Sequence, residues 1–130
     1  MTKLQTLPLT LDMVPAALPL LRMTQPHLSL PEWQAAAARL TAGEGSGVLT
    51  LATSGGQLLG IAAWRVEPHD RHGLALKVDP FVLCELSGRA PGRERLCAAL
   101  QEMAEQRGCD TVLFAPHSRG LFRPALTEVN

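Results

Sequence analysis

Val78-Asp79-Pro80-Phe81-Val82-Leu83, then Gly88-Arg89-Ala90-Pro91-Gly92-Arg93, then Glu94 to Arg107, Gly108 and Thr111-Val112-Leu113-Phe114 form the stretch that decides the fold. It reads as an apolar strand, a Gly/Arg-rich loop, an amphipathic helix and a second apolar strand. Leu96, Ala99, Leu100 and Met103 recur at helical spacing, and Gly108 stands where a C-terminal cap belongs. A strand–helix–strand crossover makes the two flanking strands parallel neighbours. A helix that starts just after such a loop offers backbone N–H groups and a positive dipole end, which together seat a phosphate or pyrophosphate. Arg89 and Arg93 strengthen that expectation through charge-assisted bonds. The alternative reading of the same arginines is a solvated helix entry.

Outward from this unit, the chain alternates strand and helix. Leu4 to Leu9 reads as a first strand, confined to a sheet edge by Pro8. Thr10 or Asp12 then caps a helix running to about Met23, with Pro15 in its first turn and Pro19 as a kink. Ser29-Leu30-Pro31-Glu32 is a capping box for a second helix that carries Leu30, Trp33, Ala37 and Leu40 on one face and ends at Gly43, Gly45 and Gly47. Val48 to Thr53 and Leu58 to Val66 flank Ser54-Gly55-Gly56 as a hairpin. Pro68 to Gly73 reads as a polar loop, and a long strand follows from Leu74 to about Leu83. The expected fold class is α/β, a central mixed β-sheet flanked by helices, in a single domain over residues 1–130.

Composition narrows the function classes. Apolar residues make up 46% of the 130 and formal net charge is zero, which argues against a nucleic-acid-binding surface and against disorder. Cys84, Cys97 and Cys109 are odd in number and lack CxxC spacing, so a reducing cytoplasm is the simpler expectation than a disulfide framework. The N-terminal segment makes a poor signal peptide. No run approaches the roughly 18 apolar residues of a membrane span, so no membrane association is expected. His69-x-x-His72 lacks further ligands in sequence, and no metal is expected there.

The order of elements resembles that of the GNAT superfamily of N-acetyltransferases. Leu58-Leu59-Gly60-Ile61-Ala62-Ala63-Trp64-Arg65-Val66 resembles the family's third strand, and Val78-Asp79-Pro80-Phe81-Val82 its fourth, which often reads V-D-D-L-V. Leu96 through Cys109 resembles the helix and turn that follow the family's cofactor loop. The likeness spans about residues 7 to 118 and is most specific between Gly56 and Ala115. It implies acetyl-CoA as cosubstrate. Val82 and Leu83 would supply strand contacts to it, and a pyrophosphate loop would be formed by Gly88, Arg89, Ala90, Pro91, Gly92, Arg93 and Glu94.

This loop departs from the family pattern Q/R-x-x-G-x-G/A. With Gly88 at the first position, Pro91 and Arg93 stand at the two glycines; a one-residue shift places Arg89 and Gly92 but puts Glu94 last. The chain also has no tyrosine, the residue many family members use to protonate the leaving thiolate. His117 and Ser118, just past the last parallel strand, are the candidates for proton handling, and Glu67 is a candidate base through water. Each also reads as an ordinary polar loop or strand-end residue. The function that follows is acetyl transfer to an unidentified small-molecule or protein amine. Two alternatives remain open: a non-catalytic acyl-CoA-binding module, and an interaction domain that pairs an incomplete sheet edge in a homodimer.

Overall fold

The computed structural model describes residues 3–69, 73–84 and 91–114. Their five strands form one mixed sheet in the order β1 (Leu4–Pro8), β2 (Ser46–Thr53), β3 (Leu58–His69), β4 (Gly73–Leu83), β5 (Thr111–Phe114). The first four are antiparallel neighbours, and β5 runs parallel to β4, as the crossover requires. Helices α1 (Val14–Leu21) and α2 (Leu30–Ala42) cover one face, and α3 (Pro91–Gln106) covers the other. Every residue of β2 from Gly47 to Thr53 is buried, because both sheet faces are covered there. Thr50, inside that strand, satisfies its hydroxyl by donating to Leu7 O at 2.8 Å. Among the described residues no helix is long and apolar enough to cross a membrane.

The second helix forms as its capping box dictates. Ser29 Oγ accepts the Glu32 N–H, and the Glu32 carboxylate accepts the Ser29 N–H at 2.9 Å. Trp33 and Ala37 are the buried positions of its inner face. The first helix is shorter than its sequence suggested. Leu11–Met13 is a 3-10 turn, and α1 ends at Leu21. Thr10 makes no side-chain cap; its hydroxyl donates to the Asp12 carboxylate at 2.6 Å, and that carboxylate also accepts the Asp12 N–H.

Three boundaries differ from the sequence reading for physical reasons. β2 begins at Ser46 and includes Gly47, since the Trp64 ring lies directly against that glycine. β3 and β4 pair down to His69 and Gly73, so Pro68, His69 and Gly73 belong to strands rather than to a loop; residues 70–72 lie outside the described residues. Pro68 is tolerated there because β2 has already ended: the neighbouring outward donor, Val66 N–H, goes to Gly45 O. Helix α3 begins at Pro91, three residues ahead of Glu94. Proline suits a first helical position, where φ is preset and a backbone donor has no intrahelical partner. The far end of α3 is as expected. Gly108 has φ +74°, its N–H donates to Glu105 O, and the Cys109 N–H donates to Ala104 O, a Schellman closure.

Candidate functional site

The parallel pairing of β4 with β5 covers Ala75 to Val78 only. β4 continues five residues further, to Leu83, held by β3 alone among the described residues. Between Val78 and Phe81 its register slips: Ala62 faces Phe81 and Trp64 faces Val78, so Asp79 and Pro80 together oppose the single residue Ala63. Beyond this bulge the Cys84 N–H donates to Leu59 O at 2.7 Å. Antiparallel alternation then turns the Val82 backbone toward β3 and sends the N–H and C=O groups of Phe81 and Leu83 to the opposite edge, which no strand pairs among the described residues. The Phe81 and Phe114 rings meet edge to face at 5.3 Å between centroids, at the last described residue of β5.

On the α1/α2 side of the same point lies an open cleft of about 390 Å³. Leu21, Gln25 and Leu28 come from α1 and its connection, and Trp33, Ala36, Arg39 and Leu40 from α2. Ser46, Val48, Ile61, Ala63 and Arg65 line it from β2 and β3, and Asp79 and Pro80 from the bulge. The Trp33 indole N–H is satisfied by Val14 O at 2.7 Å, which fixes that wall. Thus one acidic and two basic residues line an otherwise mostly apolar cleft. Another cavity of about 440 Å³, between the chain from Leu9 to Pro15 and α2, is lined by no ionisable side chain.

The residues singled out from the sequence fall into three groups. Leu83 lies on the open edge, with Val82 beside it turned to β3. Pro91, Gly92, Arg93 and Glu94 form the first turn of α3 rather than a loop; Gly92 is buried, and Pro91 and Glu94 are exposed. Gly88, Arg89, Ala90, His117 and Ser118 lie outside the described residues. Glu67 faces Ala75 in the register, four residues along β3 from Ala63 and so about 13 Å from the bulge by strand rise. Its carboxylate lies 3.8 Å from Arg65 Nε, with both side chains substantially exposed.

Trp64 stands on the other face from Glu67, in the α3-side core, so the two do not share a pocket wall. Arg107 lies over its ring, 4.4 Å from the centroid, and donates to Glu44 O. Cys84 is exposed, Cys97 is buried and Cys109 lies between the two. Burial pushes the Cys97 thiol above its ordinary range, partly offset by Arg93; burial does the same at Cys109, with Arg107 opposing and Asp110 adding to it. Asp79 was read from the sequence only as part of a strand motif. The signal for more was an acid inside an apolar strand followed by proline, a pattern that places a bulge and turns a carboxylate off the ladder.

No protein-family model matches the sequence, and no curated protein matches it. Solved structures do. An aminoglycoside N-acetyltransferase in complex with CoA superposes with a TM-score of 0.74 at 13% identity, over 88% of this chain and 78% of that one. A GNAT-family acetyltransferase from Staphylococcus aureus gives 0.70 at 13%, over 92% and 90%. An acetyltransferase from Trypanosoma brucei gives 0.68 at 21%, over 87% and 82%. The chain has the GNAT acetyltransferase fold.

Proposed function

We propose that the protein is an acetyl-CoA-dependent N-acetyltransferase that transfers acetyl directly to an amine held in the α1/α2-side cleft. The observation that carries this reading is the parted edge of β4: the backbone of Phe81 and Leu83 faces a gap that β5 does not fill among the described residues, directly beside the Asp79 bulge. An acyl thioester laid along that edge would find N–H donors for its carbonyl oxygen, the electrostatic aid that acyl transfer needs. The likeness to an acetyltransferase bound to CoA supports the same use of the fold. Gly88, Arg89, Ala90, Gly92 and Arg93 remain the candidates for holding the pyrophosphate at the start of α3.

In the transfer, the amine lone pair attacks the thioester carbonyl carbon, the new C–N bond forms, and the C–S bond breaks. Asp79 is the better-placed base than Glu67, because it lines the cleft while Glu67 stands about 13 Å along the strand. It takes the amine's proton directly or through one water. The thiolate takes its proton from His117, Ser118 or solvent; the chain has no tyrosine to provide it.

That missing tyrosine, with Pro91, Arg93 and Glu94 at the family's small positions, favours a second reading as a non-catalytic acyl-CoA-binding module. Calorimetric titration with acetyl-CoA, with adenosine monophosphate as control, separates the outcomes. Micromolar binding followed by thiol release with an amine panel is expected, and D79N should lower kcat/KM by about a hundredfold or more with an unchanged melting temperature. Binding without turnover on any amine selects the second reading. No heat at millimolar acetyl-CoA overturns both.

A further inference from the structure

From the side chains that line the cleft we infer that its acceptor is an amine that also carries a carboxylate on an apolar body, a small amino-acid-like molecule. This rests on the acetyltransferase reading for the fate of the amine, but not for binding. Arg39 projects from α2 and Arg65 from β3, on walls otherwise built by residues such as Leu21, Trp33 and Ile61, while Asp79 stands at the β4 bulge beside the open edge. The cleft is therefore lined by two cationic residues, one on α2 and one on β3, and by one acidic residue on β4.

An ammonium group pairs with Asp79, which puts its nitrogen next to the edge where a thioester would lie. A carboxylate on the same molecule pairs with the guanidiniums, whose planar fork suits it. Arg39 has no ion-pair partner among the described residues. Arg65 has only Glu67, at 3.8 Å and in contact with solvent, a weak competitor. A polycationic amine would instead bring further positive charge against both arginines. The volume of about 390 Å³ is that of a small-molecule site.

The test uses the two tryptophans of the whole protein. The Trp33 indole lines the cleft, and the Trp64 indole, on the opposite face under Arg107, is an internal control. Indole N–H resonances of the 15N-labelled chain are followed during titration with leucine against 3-methylbutylamine, and with phenylalanine against 2-phenylethylamine, without acetyl-CoA. At least one amino acid is expected to move Trp33 and leave Trp64 fixed, binding about tenfold or more tightly than its decarboxylated partner. R39Q and R65Q, changes at exposed side chains, should retain the melting temperature and abolish that preference. Equal or tighter binding of the simple amines, no Trp33 shift with either amino acid, or an unchanged preference in both variants overturns the inference. Because acetyl-CoA takes no part, a failure here is distinct from a failure of the acetyltransferase reading, which calorimetry reports separately.

Discussion

Replacing Gly47 by alanine tests how tightly β2 and β3 close over the α3-side core. A Cβ at this position would lie 2.7 Å from Trp64 Cζ2, 2.9 Å from Cε2 and 3.1 Å from Nε1, where a good carbon–carbon contact needs about 3.5 Å or more. Trp64 is only 5% exposed and has Arg107 over its ring, so the ring has little room to withdraw. Overpacking of this kind costs about 1–3 kcal/mol, against which the lost flexibility of glycine in a strand returns about 0.5–1 kcal/mol. The expected net loss is therefore about 1–2 kcal/mol. G45A is the matched control: its Cβ would meet nothing within 4 Å, and it should be neutral or stabilising by less than about 1 kcal/mol. Urea unfolding followed by tryptophan fluorescence measures both. A G47A protein as stable as wild type, with an unshifted emission maximum, would show that Trp64 does not press on Gly47 and would refute the packing argument.

Ellman's reagent should label Cys84 rapidly in the native protein, while Cys97 and Cys109, whose thiols are pushed up by burial, react only slowly or after unfolding; C84S should remove the fast phase. R107A should cost about 1 kcal/mol in the same urea assay, by removing the cation over Trp64 and the bond to Glu44 O. Glu32 is held below the usual carboxylate range because it accepts the Ser29 N–H. A group with a lowered folded pKa stabilises the fold above its unfolded pKa and loses that effect as pH falls through the folded one. Thermal melts of E32A should accordingly fall below wild type at neutral pH, and the gap should close as the carboxylate protonates.

Much of the fold was legible because its signals are local. The Ser29–Glu32 capping box, the turn at Gly56 and the Schellman glycine at Gly108 each act within a few residues, and the structure realises all three. The start of α3 was misplaced by three residues because Pro91 reads equally well as a loop residue and as a first helical residue. The site was less legible because it depends on register. That Asp79 sits at a bulge opposite Ala63 follows from a register slip between Ala62 and Trp64, and nothing in either strand alone reveals a slip against its partner. Alternation along β3 alone, by contrast, already puts Trp64 and Glu67, three residues apart, on opposite faces.

Helix lengths account for a cleft on one side of the sheet and a closed core on the other. Helix α3, with sixteen residues, spans about 24 Å and brings Leu96, Leu100 and Ala104 across the strands without interruption. Helix α1 has eight residues, about 12 Å, and two prolines, while β4 beneath it is eleven residues and about 36 Å long. A helix that short cannot cover the strand it packs on, and α2 lies chiefly against β2. Among the described residues, part of the β3–β4 surface is therefore left open on the α1/α2 side, and there the strands carry Arg65 and Asp79 where a covered sheet would carry aliphatic residues. The bulge falls at the same place, so the uncovered surface and the parted edge of β4 adjoin. On the proposed reading, a molecule seated in the cleft would thus reach the Phe81–Leu83 backbone without any movement of the core, and its access would rest on how little of the sheet α1 conceals.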